Sequence, residues 1–158
     1  MTRFHTLALI AGATFAALSL AAGAPNFSGT WKFNAAKGEN LGMMASIQQT
    51  ITIAQTEKGM TLQEASDLQG QKSSREVKYD LTGGTVKNAA AMGGSSDTVA
   101  KWDGPKLVVV WTSPGSVAGT TSTRAETRSL SADGKVMTVV TLRSGANAKP
   151  VTMVYDKQ

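Results

Sequence analysis

Polar and apolar residues alternate in short runs along most of this chain, a pattern typical of β-strands that bury one face. Ile47, Ile51 and Ile53 share one phase, with glutamine and threonine between them. Val77 and Tyr79 alternate with charged residues in the same way. Beyond the first 24 residues no segment keeps a helical period over about 11 residues or more. The pattern therefore predicts strands at 26–33, 46–55, 60–62, 77–81, 97–102, 106–112, 120–130, 136–142 and 151–155, and at most one helical turn within 35–44.

Turn signals separate these runs at short intervals. Asp133-Gly134 is the clearest hairpin turn, and Asp103-Gly104-Pro105 and Thr82-Gly83-Gly84 are further turns in which glycine supplies a positive φ. Residues 89–96 and 113–119 are predicted as loops. Strands joined by hairpins form a meander, and closing the meander removes its exposed edges. We therefore predict an all-β fold: a single up-and-down antiparallel β-barrel of about 8–10 strands.

The first 24 residues have the three parts of a secretory signal peptide. Arg3 lies in a short basic region, Leu7 to Leu20 is an uncharged run rich in alanine and leucine, and residues 21–24 are small. We predict a signal peptide over 1–24, cut somewhere in 21–24, and one barrel domain over 25–158. The mature protein is then expected in the periplasm or outside the cell. A retained N-terminal anchor is the other interpretation of this segment.

Composition removes several classes of function. The chain has no cysteine and one histidine, His5, which lies in the predicted leader. His- or Cys-dependent catalysis and His- or Cys-ligated metals are therefore excluded from the predicted domain. No phosphate-binding loop and no defensible carboxylate pair is found, so we expect no enzyme, no metal site and no cofactor. The basic residues are scattered singly, which argues against nucleic acid as a partner, and we expect a monomer that does not insert into a membrane.

Four motifs give the chain a resemblance to a known family. The four motifs lie at 27–32, 102–109, 127–139 and 154–158. They contain Phe27-Ser28-Gly29-Thr30-Trp31-Lys32, Trp102-Asp103-Gly104-Pro105-Lys106, Leu130-Ser131-Ala132-Asp133-Gly134-Lys135 and Val154-Tyr155-Asp156-Lys157-Gln158. In this order, behind an export leader, they resemble the lipocalin-like β-barrel proteins exported by bacteria. The resemblance implies a calycin-type barrel with an internal ligand cavity. The Thr-Asp-Tyr-like motif of the better known lipocalins is missing here.

Several apolar residues are candidates for the barrel interior. Trp31 lies in the first motif and is expected to plug the closed end of the barrel, because a large aromatic side chain fills such an end; lining a ligand site is its other role. Tyr79 and Trp111 fall on the predicted inward phase and contact either ligand or core. The methionines of the strands are adaptable pocket walls or ordinary core. The candidate ligand-binding residues are Met60, Tyr79, Trp111, Met137 and Met153.

Arg124, Glu126 and Arg128 share one face of a predicted strand, because they alternate with Ala125 and Thr127. One interpretation is a carboxylate-binding ladder inside the barrel, as in fatty-acid carriers. The other, which we favour from the sequence, is a solvated outer face with weak cross-strand ion pairs. A shift of one residue in register inverts the choice.

The functional hypothesis from the sequence is an exported lipocalin-like barrel that binds a small hydrophobic or amphipathic ligand in its interior. The alternative is a ligand-free barrel that acts as a periplasmic or secreted interaction or inhibitor module, with the loops at 89–96 and 113–119 as its binding surface. An interior that is packed with side chains would favour the alternative.

Overall fold

A computed structural model of the chain describes residues 23–90, 94–145 and 147–158. Except for its last two residues, the predicted signal peptide lies outside these ranges. In the described part, no helix has the length and apolar character needed to cross a bilayer. The strands are β1 (Gly29–Phe33), β2 (Ile47–Gln55), β3 (Gly59–Leu68), β4 (Gln71–Asp80), β5 (Thr85–Ala89), β6 (Ser95–Asp103), β7 (Lys106–Pro114), β8 (Thr121–Leu130), β9 (Val136–Arg143) and β10 (Val151–Lys157).

The ten strands form one antiparallel sheet in which consecutive strands pair, except β4 and β5, and β1 also pairs with β10. The predicted all-β, up-and-down barrel is confirmed. Three details differ from the prediction. β3 and β4 are longer than predicted, since they also include 63–68 and 71–76. Thr85–Ala89 forms a strand that was not predicted, and β6 begins at Ser95, inside the predicted loop. Two short 3-10 turns, Ala35–Lys37 and Gly42–Ser46, occupy the segment between β1 and β2.

One end of the barrel is closed by a packed apolar core. Alternation places one side chain in two inside the barrel, and the apolar ones gather at the end that carries the β2–β3, β6–β7 and β8–β9 turns. The fully buried members include Phe27, Trp31, Leu62, Leu107 and Met137. Phe27 precedes β1 and stacks on Trp102 with ring centroids 6.2 Å apart. The N-terminal segment of the domain therefore covers this end of the barrel.

Trp31 lies in the middle of the closed end. Its side chain is 0% exposed, and its indole N–H donates to the carbonyl oxygen of Phe27 at 2.8 Å. The Lys157 ammonium lies 5.2 Å from the centre of its ring, within the range of a cation–π contact. Phe27 is held in turn by its own N–H, which donates to Gln55. The first strand and the segment before it are thus fixed by both packing and hydrogen bonds.

The sheet has one seam, between β4 and β5, because these strands are the two ends of the hydrogen-bonded order. No backbone ladder joins them among the described residues. The side chain of Asn88 crosses the seam instead. Its Oδ1 accepts from the N–H of Lys78 and its Nδ2 donates to the carbonyl of Lys78, both at 2.8 Å. Asn88 thus stands in for one residue pair of the missing ladder.

Candidate ligand-binding site

The half of the barrel away from the closed end has a charged interior. Arg124, Glu126 and Arg128 of β8 point inward, where Arg128 is 4% exposed and Glu126 is 7% exposed. The outer-face position that we favoured from the sequence is therefore wrong. The register explains the difference, because Arg128 lies beside the buried Leu107 and Glu126 beside the buried Val109. On adjacent antiparallel strands, paired residues share a face of the sheet.

Glu126 is the link between the two arginines of β8. One carboxylate oxygen, Oε1, lies 3.0 Å from Nη2 of Arg124, and the other, Oε2, lies 2.9 Å from Nη2 of Arg128. Nη2 of Arg128 also donates to the hydroxyl of Tyr79 at 3.3 Å. Buried charges are stable only when they are paired and hydrogen-bonded. This chain of contacts is what allows three charged residues of one strand to face inward.

A second ion pair lies across the interior, on the neighbouring strands β3 and β4. Nε of Arg75 donates to Oε2 of Glu64 at 2.5 Å, and Glu64 is 6% exposed. The interior thus holds the guanidinium groups of Arg75, Arg124 and Arg128 against the carboxylates of Glu64 and Glu126, which leaves one positive charge in excess. Arg143, at the exposed end of β9, adds a further positive charge at the rim.

Four buried donor atoms have no hydrogen-bond partner among the described residues: Nε1 of Trp111, Nε of Arg124, and Nε and Nη1 of Arg128. Such groups are rare in folded proteins, because an unsatisfied buried donor costs about 1–3 kcal/mol and more when it is charged. Three of the four belong to the arginines of β8. The protein thus presents more cationic donor capacity inside the barrel than its own acceptors satisfy.

Burial and charge also shift the ionisation of groups around this site. Burial raises the pKa of Tyr79 and of Tyr155 above the ordinary range of a phenol, and the nearby Arg128 opposes this only in part. Burial lowers the pKa of Arg124, while Glu126 acts in the opposite direction. For Arg128, burial also acts to lower the pKa, but Tyr79, Glu126 and Glu64 outweigh it and the pKa is raised. Arg128 therefore carries a permanent buried positive charge.

Two cavities adjoin these groups. The central cavity has a volume of about 160 Å³, and Glu64, Glu126, Arg128, Val139 and Met153 are among the residues on its wall. The side cavity has a volume of about 280 Å³ and is lined by Trp111, Ser113 and the two ends of the β5–β6 connection at Ala90 and Gly94, among others. Arg75, Arg124 and Arg143 line both cavities, so the two lie next to each other.

The structure places the candidate ligand-binding residues in three different settings. Met60 and Met137 lie in the packed core at the closed end, and neither lines the central or the side cavity. Met153 lines the central cavity and Trp111 lines the side cavity. Tyr79 contacts residues of both cavities: its hydroxyl accepts a hydrogen bond from Arg128, and its ring is edge-on to that of Trp111, with ring centroids 6.1 Å apart. Their roles as ligand contacts stay predictions.

Sequence reasoning missed Glu64, Arg75 and Tyr155 as members of this site. A signal for the first two was present, because Glu64 is in phase with Met60 and Leu62, and Arg75 is in phase with Val77 and Tyr79. Tyr155 is buried on β10 and its hydroxyl donates to Gln49 at 2.7 Å. No group of three or more metal-ligating His, Cys, Asp or Glu side chains is found in the described ranges.

Comparison with solved structures finds a similar β-barrel fold in proteins described as fatty-acid or lipid binding. A protein described as the REP1-NXSQ fatty acid transporter matches with a TM-score of 0.62 and 13% identity, over 83% of this chain and 95% of that one. Human cRBP IV matches with a TM-score of 0.63 and 15% identity, over 85% and 99% of the two chains. Apo lipid binding protein 8 of Caenorhabditis elegans matches with a TM-score of 0.64 and 11% identity, over 87% and 100%.

At these identities the likeness shows the fold alone. No protein-family model matches the sequence. No curated protein matches it either. A ligand for this barrel can therefore be inferred only from the residues of its interior.

Proposed function

We propose that this barrel is a carrier that binds one small amphipathic anion in its interior, with the anionic group held by Arg128 and Arg124. The observation that carries the proposal is the set of buried guanidinium N–H groups without partners. A carboxylate or sulfonate oxygen supplies the acceptors that these donors lack, and such charge-assisted bonds are about twice as strong as neutral ones. The lipid- and fatty-acid-binding barrels of similar fold support this proposal.

The charge of the interior supports an anion over a neutral ligand. Three buried or half-buried arginines face two glutamates, so one monoanion neutralises the interior. A neutral ligand would leave the excess positive charge of the buried Arg128 without a counter-ion, which is costly. A cation would add to it. The expected ligand class is therefore a monoanion.

The walls and volumes limit the rest of the ligand. Ile51, Val139, Val151 and Met153 give the central cavity an apolar side, which suits a short hydrocarbon or aromatic body. Each cavity on its own is smaller than the roughly 300–1,000 Å³ of an ordinary ligand pocket. A ligand of moderate size would fill the central cavity and extend past the arginines into the side cavity.

The predicted leader supports an exported carrier that works in the periplasm or outside the cell. The cavities favour a carrier over the ligand-free interaction module, because a barrel that only presents its loops has no need of a charged interior. We also propose that the barrel binds its ligand without catalysing a reaction.

The test is isothermal titration calorimetry of the purified 25–158 protein with straight-chain carboxylates from octanoate to palmitate. Each carboxylate is paired with the alkanol of the same chain length, which keeps the apolar part and removes the charge. We expect saturable binding of one carboxylate per barrel, at least about tenfold tighter than the matching alkanol, which corresponds to about 1.4 kcal/mol.

The variant Arg128→Gln tests the named contact, and Lys87→Gln is the matched control, since Lys87 lies on the exposed outer face and pairs with Asp97. Arg128→Gln should remove the preference for the carboxylate, whereas Lys87→Gln should keep it. Equal affinity for acid and alkanol in the wild-type protein, or no saturable binding across the series, would overturn the proposal.

A further inference from the structure

We infer that Glu126 is an internal counter-ion that occupies part of the ligand's own binding position and thereby sets both the affinity and the charge selectivity of the barrel. The inference rests on the proposed function, because it concerns the same arginine pair. The guanidinium groups of Arg124 and Arg128 are already partly occupied before an anion binds. The anion shares them with a carboxylate that the protein supplies itself.

The geometry of Glu126 is that of a bound carboxylate ligand. Its two oxygens are divided between two guanidinium groups, at 3.0 Å from Arg124 and 2.9 Å from Arg128. Both contacts use the Nη2 atoms, while Nε of each arginine and Nη1 of Arg128 have no partner among the residues described. These remaining donors lie buried beside a resident negative charge, so an incoming anion reaches them only when the surrounding side chains move.

Glu64 provides an internal comparison on the opposite wall. It is a glutamate of nearly the same burial, at 6% exposed, and it lines the same central cavity. Its contact, however, is with Nε of Arg75 on the adjacent strand. Replacing either glutamate by glutamine changes the interior charge by the same amount. Only the replacement at Glu126 releases the arginine pair that is proposed to hold the ligand.

The resident carboxylate also limits the charge of the ligand. With Glu126 in place the excess positive charge of the buried interior is one, so a monoanion neutralises it and a dianion makes it negative. A second negative charge that is drawn into a site of low dielectric beside two resident carboxylates is repelled by them. The wild-type barrel should therefore bind a monocarboxylate and discriminate against a dicarboxylate of the same length.

The experiment compares wild type, Glu126→Gln and Glu64→Gln by calorimetry with dodecanoate and dodecanedioate. Glutamine keeps the size and one acceptor of the glutamate, so the fold should survive, and circular dichroism checks this before titration. We expect Glu126→Gln to bind dodecanoate at least about tenfold more tightly, or about 1.4 kcal/mol. Glu64→Gln should gain about threefold or less. Discrimination against dodecanedioate should shrink in both glutamine variants, because each raises the excess interior charge from one to two.

A second variant, Glu126→Asp, keeps the charge but withdraws the carboxylate by one methylene, and it serves if Glu126→Gln does not fold. We expect Glu126→Asp to bind dodecanoate more tightly than wild type and less tightly than Glu126→Gln. If Glu126→Gln or Glu126→Asp binds dodecanoate no better than wild type, or if both glutamine variants gain equally, Glu126 is not a competitor and the inference fails. If wild type binds no anion at all, the proposed function itself fails, so the two failures are distinguishable.

Discussion

The β4–β5 seam depends on Asn88, and this gives a sharp prediction about stability. The side chain of Asn88 is 6% exposed and makes two hydrogen bonds to the backbone of Lys78 and a third to Oγ1 of Thr98 at 2.5 Å. Asn88→Ala removes all three and leaves the N–H and C=O of Lys78 without their partner at the seam. At about 1 kcal/mol net for each bond, with a further penalty for unsatisfied buried groups, the free energy of unfolding should fall by about 2–4 kcal/mol.

The matched control is Thr98→Val, which lies in the same network but makes no contact across the seam. Thr98 accepts from Asn88 and donates to the carbonyl of Val86 at 2.7 Å. Removing its hydroxyl should destabilise the barrel but leave the two bonds between Asn88 and Lys78 in place. Urea unfolding gives the loss of stability for each variant.

Native-state hydrogen exchange separates the local effect from the global one. In Asn88→Ala the amide of Lys78 should exchange at least about tenfold faster than the fall in global stability explains, since a tenfold change corresponds to about 1.4 kcal/mol. In Thr98→Val its protection should follow global stability. A loss in Asn88→Ala below about 1 kcal/mol, with Lys78 still protected, would show that the seam is held by something else.

Three further predictions concern groups outside the seam. The chain has two tyrosines and both have a raised pKa, so absorbance at 295 nm should show no phenolate in the folded barrel at pH 10. The free energy of unfolding should fall as the pH rises past the pKa of the unfolded tyrosine, near 10. Titration of the folded protein with an ordinary tyrosine pKa would contradict the burial of these side chains. Trp31→Ala should cost about 3–5 kcal/mol in urea unfolding, because it opens a cavity under Phe27; a cost below about 1 kcal/mol would mean that Trp31 does not fill the closed end. A Cβ on Gly38 would lie 2.8 Å from the carbonyl oxygen of Thr152, whereas one on Gly59 would have its nearest neighbour at 3.6 Å. Gly38→Ala should therefore lower the free energy of unfolding by about 1–3 kcal/mol, and Gly59→Ala by about 0.5 kcal/mol at most. Equal effects would contradict the close packing of the segment between β1 and β2 against Thr152 of β10.

The barrel itself was predictable from the sequence, because alternation and glycine turns act locally. The buried phase of β2, at Ile51 and Ile53, and that of β4, at Val77 and Tyr79, are the phases that the apolar residues mark. Antiparallel hairpins then follow from turns between neighbouring strands, without information about distant contacts.

The charged interior was partly predictable and was missed for a physical reason. Charged residues are usually solvated, so Arg124, Glu126 and Arg128 were favoured for the outer face. Leu130 is in phase with Arg128 and packs against the core, and it marks that phase as the inward one. What the sequence alone does not show is that the three charges compensate one another, which is what makes their burial tolerable.

The role of Asn88 was beyond sequence reasoning. A single asparagine in a run of small residues beside a predicted loop has no pattern that assigns it a partner. Its partner, Lys78, lies on a strand with which β5 forms no ladder in the described structure. The two residues are only ten positions apart, on consecutive strands that lie side by side without a ladder among the described residues, and a hairpin pattern does not predict such a contact.

The central claim is that the donors of Arg128 and Arg124 receive the anionic group of a ligand. The most direct measurement is the NMR signal of the arginine Nε–H groups of the ¹⁵N-labelled protein during titration with dodecanoate, with assignments taken from Arg128→Gln and Arg124→Gln. Both groups lack hydrogen-bond partners among the residues that the structure describes. We expect both signals to move downfield with one saturation curve and to become protected from exchange, while dodecanol leaves them in place. Binding of dodecanoate that leaves both signals unchanged would contradict the account.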